Sequence, residues 1–383
     1  MLKIAPFAAI VVVIASLSFM LSAACKKTKS VQITDLEKHP VYKNYKFSDD
    51  EKVIEIGVPT PWSTVNHIVE VMKRDEAFKR ELKKIGYTVR FYPFMKGPDV
   101  NYFMKKGLIE GSIIGDMPTL EIASEGHVKV MTVFHKGSVS LVSRDIYRAK
   151  DLKGKRVAYP YGSIAHYYLL RLLTEEGLSE NDIRHMPMDA KDILDAIRNN
   201  KIDAFTSFEP TATIFTKIDP TLHTIHRSFS SYGFFNIRKD YGERHKDAVK
   251  AIIAAQIRAV KWLRKSVRNL DMASMWMAEE SMKIVPLPLN KYIKELTAIS
   301  SEDLNELIAV GCPIVGAMNV YSKVACEFTF MEGGDINKEF EFLKMKGFIS
   351  KDKKPEDIIK YFDRQTAIDV AKNMKISSAE IIE

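Results

Sequence analysis

Residues 159–166, with the sequence YPYGSIAH, place small and polar residues between a predicted strand and a predicted helix. The first N–H groups of a helix have no intrahelical acceptors, so a bound anion can accept their hydrogen bonds. Gly162 lets a ligand approach the backbone closely, and Ser163 offers either a helix cap or a hydroxyl donor. The segment therefore predicts either an ordinary capped helix or an anion seat. His166, one turn later, either faces the ligand or packs.

Polar groups that suit a ligand also follow two other predicted strands. They are Thr60, Trp62, Ser63 and Thr64 at the start of the first predicted helix, and Asp116 and Met117 at the start of a later one. Trp62 either stacks on a ligand or lies half-buried in a turn. Asp116 comes directly after a strand end, where the ligand sites of α/β proteins gather, but it also suits a helix cap.

Glu209 ends the predicted strand DAFTSF. Its carboxylate repels a simple anion but suits a zwitterion, with the helix terminus holding the negative group and Glu209 the ammonium or a ring N–H. Alternatively, Glu209 pairs with a lysine or an N–H group. Tyr159 and Tyr161 either form aromatic walls of the site or cover the sheet edge, and Tyr161 is the better candidate.

Several other classes of function find little support in the sequence. The net charge is +8, but the charge is spread along the chain and no basic run with interleaved aromatic residues indicates nucleic-acid binding. The P-loop, HExxH and GxSxG patterns are absent from the sequence. His223 and His226 fall on opposite faces of a strand, and no third ligand lies near them, so no metal site is predicted. We expect no catalytic residue and no cofactor.

The order of predicted elements indicates an α/β fold. Strands and amphipathic helices alternate over residues 51–140, and the same alternation repeats over residues 141–230. Beyond residue 238 the pattern becomes helical. Hydrophobic residues make up 46% of the 383-residue chain, which is enough for a substantial core.

The N-terminus indicates export. Residues 1–24 contain one lysine, a long uncharged run and then small residues before Cys25, which is typical of a secretory signal. The residues before Cys25 resemble a bacterial lipobox, although Ser22 stands where leucine is usual. A lipidated Cys25 with a polar tether over residues 25–50 is the favoured interpretation, with free secretion or an uncleaved anchor as alternatives. Cys312 and Cys326 either form a disulfide outside the cytoplasm or are separate buried thiols.

An ordered set of segments over residues 51–265 resembles the nitrate/sulfonate/taurine substrate-binding proteins of bacterial ABC importers. The segments are SIIGDMPTLEIASEG, DLKGKRVAYPYGSIAHYYLLRLLTEEGL, DAIRNNKIDAFTSFEP and YGFFNIRK. The resemblance implies a type II periplasmic-binding fold, in which two lobes joined by two crossing strands enclose a ligand. The crossings are expected near residues 138–141 and 231–235. The segment PTPWSTVN departs from the small polar loop usual in the family, which leaves the identity of the ligand open.

The expected organisation follows from this resemblance. Lobe 1 comprises residues 51–140 and 231–300, lobe 2 comprises residues 141–230, and residues 301–383 form a helical C-terminal region. We expect a monomeric, extracytoplasmic, lipid-anchored receptor that delivers a small sulfonate, nitrate or taurine-like ligand to an ABC permease. The alternative ligand is an aromatic heterocycle such as a pyrimidine or flavin precursor. The alternatives of another class are a structural or adhesive surface lipoprotein and an enzyme.

Overall fold

The computed structural model describes residues 35–59, 63–284, 289–309 and 334–374. Backbone contacts separate the chain into two units after residue 44. The described part of the first unit, residues 35–44, forms short 3-10 turns at Leu36–Lys38 and Tyr42–Asn44. The second unit contains the sheet described below. Within the described ranges, no helix is both long and apolar enough to cross a membrane.

In the described residues, eight strands form one sheet in the spatial order β2-β1-β3-β8-β4-β7-β5-β6. They are β1 (Val53–Pro59), β2 (Thr88–Phe94), β3 (Gly111–Gly115), β4 (Val128–Ser143), β5 (Arg156–Tyr159), β6 (Arg184–Pro187), β7 (Ala204–Phe208) and β8 (His223–Arg238). β1 pairs in parallel with β2 and β3, and β5 pairs in parallel with β6 and β7. Parallel pairs need long crossover connections, which helices supply here. The predicted α/β class is confirmed.

In the described residues, helices connect these strands and also follow β8. They are α1 (Val65–Arg74), α2 (Glu76–Lys84), α3 (Gly97–Lys105), α4 (Asp116–Ser124), α5 (Ile164–Glu175), α6 (Ala190–Arg198), α7 (Thr211–Ile218), α8 (Lys239–Arg244), α9 (Lys246–Arg264), α10 (Val267–Met282), α11 (Ile293–Ala309), α12 (Asp335–Met345), α13 (Pro355–Ile359) and α14 (Arg364–Asn373). We call β1–β3 with α1–α4 the first lobe, and β5–β7 with α5–α7 the second lobe. The domain limits predicted above stay predictions.

Two long antiparallel strands, β4 and β8, join the lobes. Residues 233–237 of β8 pair with β3 of the first lobe, whereas residues 139–143 of β4 pair with β7 of the second. The register between β4 and β8 shifts between Gly137 and Val139, where the chain passes from one lobe to the other. The predicted architecture of two lobes and two crossing strands is therefore confirmed.

The crossing strands correct the sequence analysis in one respect. The pattern predicts two separate strands within residues 128–144 and two more within residues 221–239. The structure instead has one 16-residue strand in each region. The register shifts keep the chain extended through Gly137, which lies inside β4 rather than in a turn.

Residues 65–84 form two helices, α1 and α2, which are separated at Asp75. Val65, Ile68 and Met72 are buried at helical spacing, which confirms the predicted amphipathic helix. The sequence predicts one helix through Phe78, but the chain breaks at Asp75. The Asp75 carboxylate accepts hydrogen bonds from the N–H groups of residues 77 and 78 and so caps a second helix, α2.

Candidate functional site

A cavity of about 40 Å³ lies where the crossing strands pass between the lobes. Its walls are Pro59, Ser63, Val65, Lys96, Gly97, Ile113, Ile114, Gly115 and Pro118 of the first lobe and its loops; His135, Ser138, Ser231, Tyr232 and Gly233 of the crossing strands; and Ser163, Ile164, Phe208 and Glu209 of the second lobe. A water molecule needs about 10–15 Å³ of such space, so the cavity has room for about three water-sized groups. It lies at the strand ends, where α/β sheets bind ligands.

Hydroxyl groups converge on this cavity from separate parts of the chain. Ser63, Ser138, Ser163 and Ser231 all line it. The Ser138 Oγ is buried and has no hydrogen-bond partner among the described residues. Such an orphaned polar group is costly unless a ligand or water completes it. The Ser163 hydroxyl, in contrast, donates to the carbonyl of Pro160 at 2.6 Å.

His135 is the other unpartnered polar group in the cavity wall. It is 8% exposed, and its Nδ1 has no hydrogen-bond partner in the described part of the chain. Burial, and then the neighbouring His67, lower the pKa of His135 to about 4, so the ring is neutral at pH 7. Gly233 lies opposite His135 on β8, and a Cβ at Gly233 would lie 2.4 Å from Nδ1. The ring therefore occupies space that only glycine leaves free.

The sequence analysis did not name His135 or Ser138 as ligand-binding candidates. Both lie in the middle of β4 rather than at a strand-to-helix turn, where small and polar residues indicate a ligand site from the sequence. A signal was nevertheless available, because residues 138–141 were expected to cross between the lobes, where the ligand is bound. Polar residues in an otherwise apolar crossing strand were therefore candidates.

Gly162 and Ser163 have different surroundings. Ser163 is the N-cap of α5 and lines the cavity, although its side chain does not cap the helix. Gly162 has a φ of +72°, and a Cβ there would lie 2.8 Å from Pro98 Cγ of the first lobe. The Gly162 N–H donates to His166 Nδ1 at 3.3 Å. This glycine thus permits close contact between the lobes, and contact of Gly162 with a ligand stays a prediction.

His166 packs among aromatic rings instead of lining the cavity. Its ring stacks on Tyr159 at a centroid distance of 4.4 Å and also contacts Tyr161 and Phe348. Burial, and then the nearby charges of His185 and Lys346, lower the pKa of His166 to about 3. Tyr161 is 41% exposed at the edge of this cluster and does not line the cavity either.

Glu209 lines the cavity, but its carboxylate already has donors. Oε1 accepts a hydrogen bond from Ser140 Oγ at 2.6 Å and forms an ion pair with the Arg227 guanidinium at 2.9 Å. Oε2 accepts from the Thr213 N–H at 3.0 Å. Glu209 therefore pairs with groups of the protein itself, which was one of the two alternatives considered from the sequence. The cation in this pair is Arg227 rather than a lysine.

Asp116 and Met117 are buried and do not line the cavity. The Asp116 carboxylate accepts hydrogen bonds from the N–H of Met117 at 2.9 Å and of Tyr232 at 3.0 Å. Glu339 of α12 shares a further hydrogen bond with it. Burial raises the pKa of both carboxyls. The charge of Asp116 and the hydrogen bond with it raise the pKa of Glu339 further, whereas that hydrogen bond lowers the pKa of Asp116, so the pair retains a proton at neutral pH.

The first-lobe loop before α1 is described only in part. Thr60 and Trp62 lie outside the described residues. Ser63 lines the cavity and forms an isolated bridge with Pro210 of the second lobe. Thr64 is buried, and its carbonyl accepts a hydrogen bond from His67 Nδ1 at 3.1 Å.

The lobes also contact each other through charges. Lys96 of the first lobe lies 2.6 Å from Asp189, which precedes α6 of the second lobe, and 3.6 Å from Asp99. Burial alone would lower the pKa of Lys96, but the charges of Asp99 and Asp189 raise it above its usual value. Lys96 is therefore a charged, compensated group in the cavity wall and not a free cation.

Helix α12 contacts both lobes beside the cavity. Glu339 meets Asp116 of the first lobe, and Phe342 packs edge-on against Tyr167 of the second lobe at 5.5 Å. Asp335 accepts a hydrogen bond at 3.2 Å from the hydroxyl of Tyr232, a residue of the cavity wall. The C-terminal helices therefore support the cavity from outside.

Comparison with known proteins agrees with this architecture. Residues 127–266 match the family model described as NMT1/THI5 like. The chain is 25% identical over 213 residues to the taurine-binding periplasmic protein of Escherichia coli strain K12, which covers 53% of this chain and 65% of the relative. The matched part thus spans about two thirds of that relative's length.

Solved structures reproduce the fold at lower identity. The periplasmic nitrate-binding protein NrtA from Synechocystis PCC 6803 superposes with a TM-score of 0.68 at 12% identity, covering 86% of this chain and 91% of NrtA. The periplasmic aliphatic sulphonate binding protein SsuA from Escherichia coli superposes with a TM-score of 0.59 at 17% identity, covering 82% and 99%.

The fold is therefore that of a type II periplasmic binding protein. The resemblance proposed from sequence is confirmed: residues 127–266 are similar to the NMT1/THI5-like family, and the matched relatives are periplasmic binding proteins.

Proposed function

We propose that the chain is an extracytoplasmic solute receptor of an ABC importer and that it captures a compact sulfonate, taurine-like or nitrate ligand between its lobes. The observation that carries the proposal is the serine-lined cavity at the crossing strands. Serine hydroxyls donate hydrogen bonds, and the oxygens of sulfonate and nitrate only accept them. The relatives that bind taurine, sulphonates and nitrate support the same class of ligand.

The charges around the cavity favour hydrogen bonding over a direct ion pair. Lys96 is compensated by Asp99 and Asp189, and Glu209 by Arg227. A ligand anion would therefore be held by hydroxyls, by backbone N–H groups near the start of α5 and by the dipole of that helix, which contributes about 0.3–1 kcal/mol.

Size separates the two candidate ligand classes. Room for about three water-sized groups suits nitrate or the head group of a short sulfonate better than a six-membered aromatic ring. The aromatic residues that would favour a heterocycle are Trp62, Tyr159 and Tyr161; the two tyrosines do not line the cavity, and Trp62 lies outside the described residues. An aromatic heterocycle would need the lobes to separate further.

Ligand capture follows from the two-lobe architecture. A ligand that contacts both lobes favours the closed arrangement over the open one, and the closed form would then dock on a permease. The Ser63 hydroxyl on one side and backbone N–H groups near the start of α5 on the other would provide such contacts. No catalytic step and no cofactor enters this mechanism.

Isothermal titration calorimetry with taurine, ethanesulfonate, nitrate and uracil tests the proposal. We expect heat of binding with at least one of the first three ligands and none with uracil. In Ser138→Ala, the loss of one hydrogen bond, which contributes about 0.5–1.5 kcal/mol, lowers the affinity for that ligand by roughly 2- to 13-fold. The control Ser350→Ala, an exposed position outside the cavity, retains the wild-type affinity. Binding of uracil alone would replace the sulfonate assignment with the heterocycle.

The anchor is a separate part of the proposal. Cys25 lies outside the described residues, as do Cys312 and Cys326, and the lipobox-like sequence before Cys25 supports lipidation there. Labelled palmitate fed to expressing bacteria is expected to enter the wild-type chain but not Cys25→Ser. Equal labelling of both chains would reject lipidation at Cys25.

A further inference from the structure

The cavity wall contains one residue whose charge can change when a ligand arrives. His135 lines the cavity, and its buried Nδ1 lies beside Gly233 of the same wall and lacks a hydrogen-bond partner in the described residues. Gly233 on the adjacent strand leaves the space that the ring needs. A buried ring nitrogen without a partner is costly, so the site is built for a group that arrives with the ligand.

We propose that His135 is a specificity-determining residue of the cavity: its Nδ1 donates a hydrogen bond to the oxyanion of the ligand, and the ring takes up one proton from solvent as the anion binds. The inference rests on the proposed function and deepens it. Sulfonates and nitrate stay ionised over the pH range of stable proteins, so they do not bring the proton themselves. The proton therefore comes from the buffer. It converts the neutral His135 ring into a cation, which then forms an ion pair with the ligand anion.

The other titratable groups around His135 already have hydrogen-bond or ion-pair partners within the protein. His67, which lies behind it on α1, uses Nδ1 to donate to the Thr64 carbonyl, and its Nε2 lies 3.0 Å from the Ser274 hydroxyl. Three other titratable residues line the same cavity: Lys96, Glu209 and Tyr232. Lys96 and Glu209 each have an opposite charge within 3 Å. Tyr232 donates its hydroxyl to Asp335.

The free protein fixes the starting point for proton uptake. Burial lowers the pKa of His135 to about 4 before the ligand binds. An anion in contact with the ring raises that pKa by about 1–3, so binding shifts protonation into the range between pH 5 and 7. Since the anion favours the protonated ring, affinity rises as pH falls through this range. We expect the affinity at about pH 5 to exceed that at about pH 8 by roughly 2- to 90-fold.

The test is calorimetry of ethanesulfonate and nitrate binding to the full chain at about pH 5.5 in buffers with different ionisation enthalpies. The wild-type heat should depend on the buffer, in proportion to net uptake of up to one proton per ligand. In His135→Asn, which keeps a hydrogen-bonding side chain but cannot titrate, affinity should become independent of pH and heat independent of buffer. Ser138→Ala is the matched control on the same strand, with weaker binding but the same proton uptake as wild type.

The outcomes separate the inference from the proposed function. Ethanesulfonate or nitrate binding with no buffer-dependent heat in wild type overturns the role of His135 and leaves the receptor function standing. Undiminished proton uptake in His135→Asn also overturns it. Failure of taurine, ethanesulfonate and nitrate to bind at any pH overturns the proposed function, and the inference falls with it. The wild-type measurement decides the matter even where a variant does not fold.

Discussion

Neutralising the ion pair between Lys96 and Asp189 should weaken ligand binding without weakening either lobe. The two side chains belong to different lobes, and their charged atoms are 2.6 Å apart. Their side chains are 22% and 16% exposed, so water screens the pair only in part. Separating the lobes would break this contact, so the pair stabilises the closed arrangement relative to the open one.

The magnitude lies between two known limits. Exposed ion pairs contribute about 0.2–1 kcal/mol, and removing one partner of a buried pair costs about 2–5 kcal/mol. A partly buried pair is therefore worth about 1–2 kcal/mol to closure. If the free protein is mostly open, affinity falls by the same factor as the closed population, which is roughly 5- to 30-fold. In Asp189→Asn, the carboxylate of Asp99 still lies 3.6 Å from the Lys96 ammonium and continues to stabilise its charge. We therefore expect a loss of affinity near the lower end of this range.

The assay is a double-mutant cycle with Lys96→Met and Asp189→Asn, read by calorimetry with taurine or nitrate. We expect each single variant to bind about 5- to 30-fold more weakly and the double variant to lose little more, because the pair is already broken. The control is Arg258→Met, which breaks a pair with Asp75 at 2.6 Å and similar exposure, but away from the cleft. It should lower the unfolding temperature and leave affinity unchanged. Additive losses in the cycle, or an equal loss of affinity in Arg258→Met, would refute the reasoning.

Two further perturbations test the surroundings of the cavity. Gly162→Val places a branched side chain at a φ of +72° and against Pro98. We expect ligand affinity measured by calorimetry to fall at least tenfold, while the circular dichroism spectrum stays that of the wild type. A variant with wild-type affinity would contradict the close contact between the lobes. Glu339→Gln removes one carboxyl of the buried pair that Glu339 forms with Asp116. Burial raises the pKa of Asp116 to about 7. The native state binds more protons than the unfolded state between the ordinary carboxyl range and pH 7, so wild-type stability declines as pH rises through that window. The variant should therefore gain about 1–2 kcal/mol relative to wild type between pH 5 and pH 8 in urea unfolding, and parallel pH profiles would contradict a shared proton.

Much of the fold could be predicted from the sequence because apolar periodicity reports burial directly. Val65, Ile68 and Met72 show the helix that covers the sheet, and alternating strands and helices show the α/β class. The break between α1 and α2 was missed, since capping at Asp75 depends on local hydrogen bonds that periodicity does not reveal. The length of β4 was missed for a related reason, because its pairing partners lie far away in sequence.

The site was harder to predict than the fold. Ser63, Ser163 and Glu209 were named from the sequence and line the cavity, because loops at strand ends converge in this architecture. His135 and Ser138 were missed because they are polar residues inside a strand rather than at a strand end, although the expected crossing near residues 138–141 was a signal for them. The roles of Gly162 and Asp116 depend on Pro98 and Glu339, which are distant in sequence and close in space.

The location of the ligand itself tests the account most directly. Long-wavelength diffraction from crystals grown with taurine would reveal the ligand sulfur by its anomalous scattering. We predict a sulfur peak in the cavity between the lobes, with sulfonate oxygens within hydrogen-bonding distance of the Ser138 hydroxyl and His135 Nδ1. A bound taurine whose sulfur lies outside this cavity, with Ser138 and His135 untouched, would contradict the account.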